Sequence, residues 1–467
     1  MNATLGHFLS TQPLGHGPGT TGSNPMNFTV PSPSGGKAAP SNLAGKRVAM
    51  VTFSTFPGDP RPRRAVNALL GQGMTVDLIC LGNGDAPRHE ILNGMRILRF
   101  PLKSRRGNKF MYVWNYCAFI LFSACVLARR SFQRRYDMVH IHNMPDVLVL
   151  SALVPKALGS KVLLDMHDPM PELMKTIYNL DDNSLSVRLI QWLEKWSIGR
   201  ADFVLTVNAA CKRIFASRSC PQSKIEVVMN SPDEQAIPIR SPHSYKKAGH
   251  APPKPFVIMY HGSLVERNGL GLAVDALVQV RRKVPGAEIK ICTVETPYLH
   301  KVMDKARRLG LEDRVHFLGS KRAGELGKEI ESCDLGIVPN QRNAFTEINT
   351  PNRIFEFLSM GKPVIAPRTR GVQDYFSPDS LFFFEAGNAD DLARMIEYVA
   401  FHSNEAIERV ERGQQVYLKH TWSRESGVFV GVVERLLNGR RPRLRSDTAV
   451  RPGNASLGES LPNDRYS

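Results

Sequence analysis

The stretch Thr350-Pro-Asn-Arg-Ile-Phe-Glu-Phe-Leu-Ser-Met-Gly-Lys-Pro-Val-Ile-Ala366 reads as a short helix running into a buried strand. Thr350 is placed to cap a helix whose first turn carries Pro351, where proline is tolerated best. Gly361 ends that helix, and Pro363 launches the apolar run Val364–Ala366. A helix start aimed into a cleft offers free N–H groups to an anion such as a diphosphate. Glu356, one to two turns in, is a carboxylate able to accept two hydrogen bonds from a ribose diol.

The same alternation extends upstream. Phe256-Val-Ile-Met-Tyr260 reads as a strand, followed by a Gly-bearing loop and a helix through Leu272, Ala273, Ala276, Leu277 and Val280. Further strands are expected at Glu288–Val294, Val315–Leu318 and Leu335–Val338, and a last helix at about 424–437. An earlier unit opens with Arg47-Val-Ala-Met-Val-Thr-Phe53, the breakers Pro57-Gly58-Asp59-Pro60, a helix, and an apolar run from Thr75 to Leu81. Met138–His142, Lys161–Asp165 and Phe203–Val207 continue it as strands. Leu185, Leu189, Leu193 and Trp196 recur at helical spacing, with Gly199 where a terminating glycine belongs. The expected organisation is a disordered tail at 1–45, an α/β unit at 46–236, a Pro-rich basic linker at 237–255, a second α/β unit at 256–420, a helix at 421–438 crossing back to the first unit, and a disordered tail at 439–467. Two such units in tandem imply a cleft between them, where ligands of these folds sit.

Composition narrows the function. The chain has 467 residues, 42% hydrophobic and 22% charged, as in a folded soluble protein. Seven scattered cysteines form no disulfide scaffold or zinc motif and suit a reducing compartment. No G-x-G-x-x-G follows either first strand and no P-loop is present, which disfavours NAD and P-loop nucleotides. Sixty-one Lys and Arg against 43 Asp and Glu leave a net charge of +18, which calls for an anionic partner. Nothing matches a groove-reading or base-stacking motif, so nucleic acid is not expected.

The segment around Glu356 resembles the donor-site motif of glycosyltransferase family 4, the retaining GT-B sugar transferases. Tyr136-Asp-Met-Val-His-Ile-His142, Leu164-Asp-Met-His-Asp-Pro-Met-Pro-Glu172, Ala201-Asp-Phe-Val-Leu-Thr-Val207 and Tyr260-His-Gly-Ser-Leu264 agree with it, so the likeness covers about 47–437. It implies two Rossmann-like domains facing across a cleft, with Glu356 on the ribose of a nucleotide-diphosphate sugar. Bacterial polysaccharide-assembly members carry a Pro-x-Lys/Arg element before this Glu, which Pro351-Asn352-Arg353 matches. The family commonly has another Glu eight positions earlier, where this chain has Ile348; Glu347 is one residue out of register.

The likeness further implies a donor site of Gly262, Ser263, Arg267, Asn352, Arg353 and Glu356. Ser263 and Asn268 stand where the family usually has basic residues, which leaves Arg267 and Arg353 to meet the diphosphate. His167 matches the histidine beside the donor sugar and is the expected catalytic residue. Gly58, Asp59, Arg61 and Asp168 fall on the acceptor side. No metal or other cofactor is expected, since the chain has no Asp-x-Asp.

Phe110–Ala128 is nearly as long as a membrane span, flanked by Lys103, Arg105, Arg106 and Lys109, and by Arg129, Arg130, Arg134 and Arg135. A span would put neighbouring strands of one sheet on opposite sides of the membrane, so a buried or interfacial helix is expected. The implied function is retaining sugar transfer to a glycan or polyprenyl-linked acceptor in polysaccharide biosynthesis. The implied place is the cytoplasmic side, peripherally on an anionic membrane. Rival readings are a GT-B sugar-nucleotide 2-epimerase and a catalytically silent, membrane-associated partner of another transferase.

Overall fold

A parallel strand covered on both faces is mostly apolar, and the inner strands of this chain are, with Asp77, His140, His142 and Asp165 as buried polar exceptions. The computed structural model describes residues 42–82, 86–101, 109–242 and 255–439. In the first unit these are β1 (Arg47–Thr55), β2 (Thr75–Leu81), β3 (His89–Leu92), β4 (Met95–Phe100), β5 (Met138–His142), β6 (Lys161–Met166), β7 (Phe203–Thr206) and β8 (Ile225–Val227), in the order β3-β4-β2-β1-β5-β6-β7-β8. All neighbours pair in parallel except β3 and β4, a hairpin absent from the sequence reading. Its turn is Asn93-Gly94, both at positive φ, the pair that a two-residue hairpin turn favours.

The second unit contains β9 (Phe256–His261), β10 (Ala287–Cys292), β11 (Val315–Phe317), β12 (Leu335–Ile337), β13 (Val364–Pro367) and β14 (Phe382–Phe384), all parallel, in the order β11-β10-β9-β12-β13-β14. Strand order reverses beside β1 in one sheet and beside β9 in the other. Loops leaving the carboxyl ends of strands at such a reversal form the natural ligand crevice. Gly58 and Asp59 follow β1, while Gly262 and Ser263 follow β9.

Each sheet has a hydrophobic core on both faces. The last helix, Trp422–Asn438, buries Phe429, Val432 and Val433 among first-unit residues, so the chain crosses back. Leu43 is buried in the same core, so ordered packing begins before Lys46. The expected tails lie outside the described residues at 1–41 and 440–467, as does the linker at 243–254.

Helix Lys109–Gln133 lies between β4 and β5 of one sheet, with Phe119 and Leu127 in the core. Among the described residues no helix is long and apolar enough to cross a membrane. Trp114, Cys117 and Leu121 are exposed on it, whereas Tyr116 turns inward onto Phe53. Arg130 approaches the buried Asp77 carboxylate at 3.7 Å and is therefore an internal cation, unlike the exposed Arg129. Lys103, Arg105 and Arg106 lie outside the described residues.

Helix Leu185–Arg200 forms where its spacing predicts but faces the other way. Leu185 and Leu189 are exposed, and the buried side carries Val187, Glu194, Ser197 and Ile198. Glu194 turns inward because Arg218 forks onto it and onto Glu172, a paired burial that charge can sustain. Gly199 lies inside this helix, which ends at Arg200.

Candidate active site

The helix of the decisive stretch runs Asn352–Ser359. Pro351 takes the cap position with no side-chain cap, because the Thr350 hydroxyl donates to the Gly371 carbonyl at 2.7 Å instead. Gly361 terminates the helix at φ 70, the left-handed conformation such a position favours.

Glu356 projects beside His261, the last residue of β9, with Oε2 3.4 Å from Nε2. Burial raises the Glu356 carboxyl to about 7, against the charges of Arg353 and Arg64. Burial also drops His261 to about 3, helped by Arg353, so that imidazole is neutral. Arg353 lies 4.5 Å over the Tyr260 ring, and its guanidinium stands 3.6 Å from where a Gly262 side chain would begin. Gly262 itself is at φ 96, a conformation that favours glycine. The Ser263 carbonyl accepts from the Tyr260 hydroxyl and from Asn268 Nδ2, both at 2.7 Å, so Asn268 braces the loop. Gly269 then turns at φ 68, where a Cβ would meet the Pro339 carbonyl oxygen at 1.9 Å.

Arg267 stands over the Phe345 ring at 5.4 Å. Burial lowers its pKa and Asp168 opposes this; burial raises Asp168, with His167 and Arg267 opposing. These two charges therefore face each other from different units. Nη1 of Arg267 and Nη1 of Arg353 are both buried with no hydrogen-bond partner. A buried, unmatched N–H on a guanidinium is costly, and an anion would satisfy it.

On the first-unit side, Asp59 caps helix Pro60–Gly71 by accepting from the Arg61 backbone N–H at 3.1 Å. The Arg61 guanidinium forks onto both oxygens of Asp165, at 2.9 and 2.6 Å, and donates to the Val228 carbonyl at 2.9 Å. Both side chains are thus engaged inside their own unit. His167 follows β6 with its ring at the cleft edge; its Nε2 lies 3.1 Å from His142 Nδ1 and 3.6 Å from Asp165.

Glu347 bonds Arg342 at 2.9 Å and accepts from the Arg370 backbone N–H at 3.1 Å, a role within its own unit. Ile348 is buried in the first unit's core, and its carbonyl accepts from Asn208 at 3.0 Å. Thr176 with Asn343 and Phe345, and Arg213 with Asp374, add further bonds between the units.

The sequence reading did not single out Arg64, His261 or the cluster behind His167. Arg64 is buried near the Trp422 ring, its pKa lowered to about 10 by burial and by Arg61 and Arg63. Its helical position alone carried no sign that it would act on Glu356. His140, His142 and Asp165 place ligand atoms within 4.8 Å of one another, a grouping that scattered cysteines could not disclose. Arg61 already grips both carboxylate oxygens there, so a cation at those ligands would compete with a guanidinium.

Residues 59–231 match the Glycosyl transferase 4-like domain, and residues 255–400 match Glycosyl transferases group 1. The chain is 23% identical over 303 residues to sulfoquinovosyl transferase SQD2 of Arabidopsis thaliana, covering 61% of this chain and 54% of that protein. It therefore spans about half the length of that curated relative. Sucrose-phosphate synthase from Thermosynechococcus elongatus superposes with a TM-score of 0.67 at 14% identity, over 84% of this chain and 100% of that one. Anabaena HepE, solved in complex with UDP and glucose, gives 0.62 at 16% identity, over 83% and 99%. With both units matched and the two-sheet architecture shared, the chain belongs to the family 4 glycosyltransferases of the GT-B fold.

Proposed function

We propose that this protein transfers a sugar from a nucleotide-diphosphate sugar, with retention of configuration, to a glycan or polyprenyl-linked acceptor in polysaccharide biosynthesis. One observation carries the reading: Arg267 and Arg353 both have a buried, unpartnered Nη1, both act beside Tyr260, and Arg353 also acts on the Glu356 carboxyl. The two guanidiniums meet the diphosphate, Glu356 meets the ribose, and the Gly262–Ser263 backbone and Asn352 border the donor. His167 lies against the sugar. On the acceptor side, Gly58 and Asp168 face the acceptor, while Asp59 and Arg61 also hold the fold. The UDP-bound HepE structure is consistent with a uridine donor. Thermal-shift screening with UDP-, GDP- and ADP-sugars tests this: one series should raise the melting temperature, and a flat response to all three would refute it.

Because guanidiniums and helix N–H groups supply the positive charge for the leaving diphosphate, transfer should survive EDTA. Loss of activity on chelation, restored by magnesium or manganese, would contradict this.

The acceptor reading also places the enzyme peripherally on the cytoplasmic face of an anionic membrane. Trp114 and Leu121 on one helix and Leu185, Leu189 and Trp192 on another are exposed, as are the cations Arg129, Arg188 and Lys195 on the same two helices. Each near-surface cation contributes about 1 kcal/mol on anionic lipid. The protein should sediment with membranes at low salt and be released by high salt or alkaline carbonate. Charge reversal at Arg129, Arg188 and Lys195 should weaken binding to anionic liposomes; unchanged binding would remove this surface from consideration.

A further inference from the structure

His167 is held from behind by groups the transfer reaction does not itself require. His142 ends β5 and is paired in register with Asp165 on β6, so both side chains stand on the same sheet face. Both are buried. His142 Nδ1 lies 3.5 Å from Asp165 Oδ2 and 3.1 Å from His167 Nε2. Its other nitrogen, Nε2, is buried with no hydrogen-bond partner. Asn143, the next residue, accepts from the His167 backbone N–H at 2.8 Å and donates to the Asp168 carbonyl at 3.2 Å and to Asp146 at 3.0 Å.

These contacts bear on where the protons sit. Burial holds the His142 pKa well below the ordinary range, with His140 adding to it against Asp165, so the ring is neutral and carries one proton. Asp165 is pushed up by burial, but the charge of Arg61 opposes that and keeps it a carboxylate. A proton on His142 Nε2 would be a buried donor without an acceptor, whereas one on Nδ1 faces an anion and a ring nitrogen. Nδ1–H is the lower-energy form. His167 Nε2 then accepts, and the neutral His167 ring carries its own proton on Nδ1, the nitrogen left for the cleft.

We infer that His142 is a positioning residue: backed by Asp165, its Nδ1–H holds His167 by Nε2 and fixes it as the Nδ1–H tautomer, a hydrogen-bond donor offered to the sugar or its departing phosphate. The charged groups acting on the adjacent Asp168 are His167, Arg267, Arg61 and Asp59, and His140 lies 3.8 Å from Asp165. This inference rests on the transferase reading for its consequence, though not for its geometry.

Two measurements test it. In protein labelled with 15N-histidine, long-range 1H–15N correlation, assigned with a His167→Gln variant, should show neutral His167 protonated on Nδ1. Protonation on Nε2 would overturn the proposal, and this readout needs no substrate. His142→Leu removes the donor, whereas the amide nitrogen of His142→Asn takes the place of Nδ1. With the nucleotide sugar that the wild type consumes from the UDP, GDP and ADP panel, the Leu variant should lose kcat about 10²-fold, as misplacement of a reacting group does. Its KM should hold within roughly threefold, and the Asn variant should recover most of kcat. A purely structural position would favour Leu in this buried place, so equal activity of the two variants, high or low, would overturn the positioning role. A wild type that consumes no nucleotide sugar would refute the transferase reading instead, leaving the tautomer to decide the positioning.

Discussion

Glu356→Ala is expected to lower donor turnover about 10²-fold or more while the melting temperature stays near that of the wild type, because a half-buried carboxylate that bonds a ribose diol leaves both hydroxyls unpaired when removed. Glu347→Ala should cost far less, since that carboxylate serves Arg342 and the Arg370 backbone. Near-normal turnover in folded Glu356→Ala would overturn the donor-site assignment. The carboxyl also carries a pH signature. With its folded value raised from 4.5 to about 7, Glu356 is protonated in the empty site below neutrality. Between those two values the folded state binds the additional proton, so this group's contribution to stability falls as pH rises. A ribose diol donates to the ionised form, so donor affinity should rise through the same window. Calorimetric titration with UDP between pH 5.5 and 8 reads that slope, and Glu356→Gln should flatten it.

Arg61→Ala should destabilise the protein by about 3–5 kcal/mol, the usual cost of leaving one member of a buried ion pair alone. Arg61 and Asp165 side chains are 8% and 3% exposed, so water cannot replace the lost partner. Asp165 holds its depressed pKa chiefly through Arg61 against burial; the stability it supplies is present above its ordinary range near 4 and is lost as pH falls through the folded value. Chemical denaturation at pH 7 measures the loss. An Arg61→Ala protein as stable as the wild type but unable to use acceptor would return Arg61 to an acceptor-binding role.

Much of this was legible without coordinates. Alternating apolar runs and helical periods identify two parallel α/β units, since a strand buried on both faces is mostly apolar. The helix around Glu356, its Gly361 terminus and the strand after it follow from local rules that act over a few residues. The β3–β4 hairpin was equally readable, from Asn93-Gly94, and was overlooked.

Other features depend on partners distant in sequence. Leu185 and Leu189 keep helical spacing yet face outward, because Glu194 on the opposite side is claimed by Arg218, which lies beyond the next strand. Thr350 leaves the cap for the Gly371 carbonyl, Arg61 forks onto Asp165, and Ile348 enters the core of the other unit. The amino-acid sequence by itself determined the repeated strand–helix architecture and the residue types at the donor site, because periodicity, capping and turn chemistry are local. Only the tertiary structure decided which charges are neutralised, which nitrogens stay unpaired and which histidine holds another, because burial and pairing energies depend on what packs against each group.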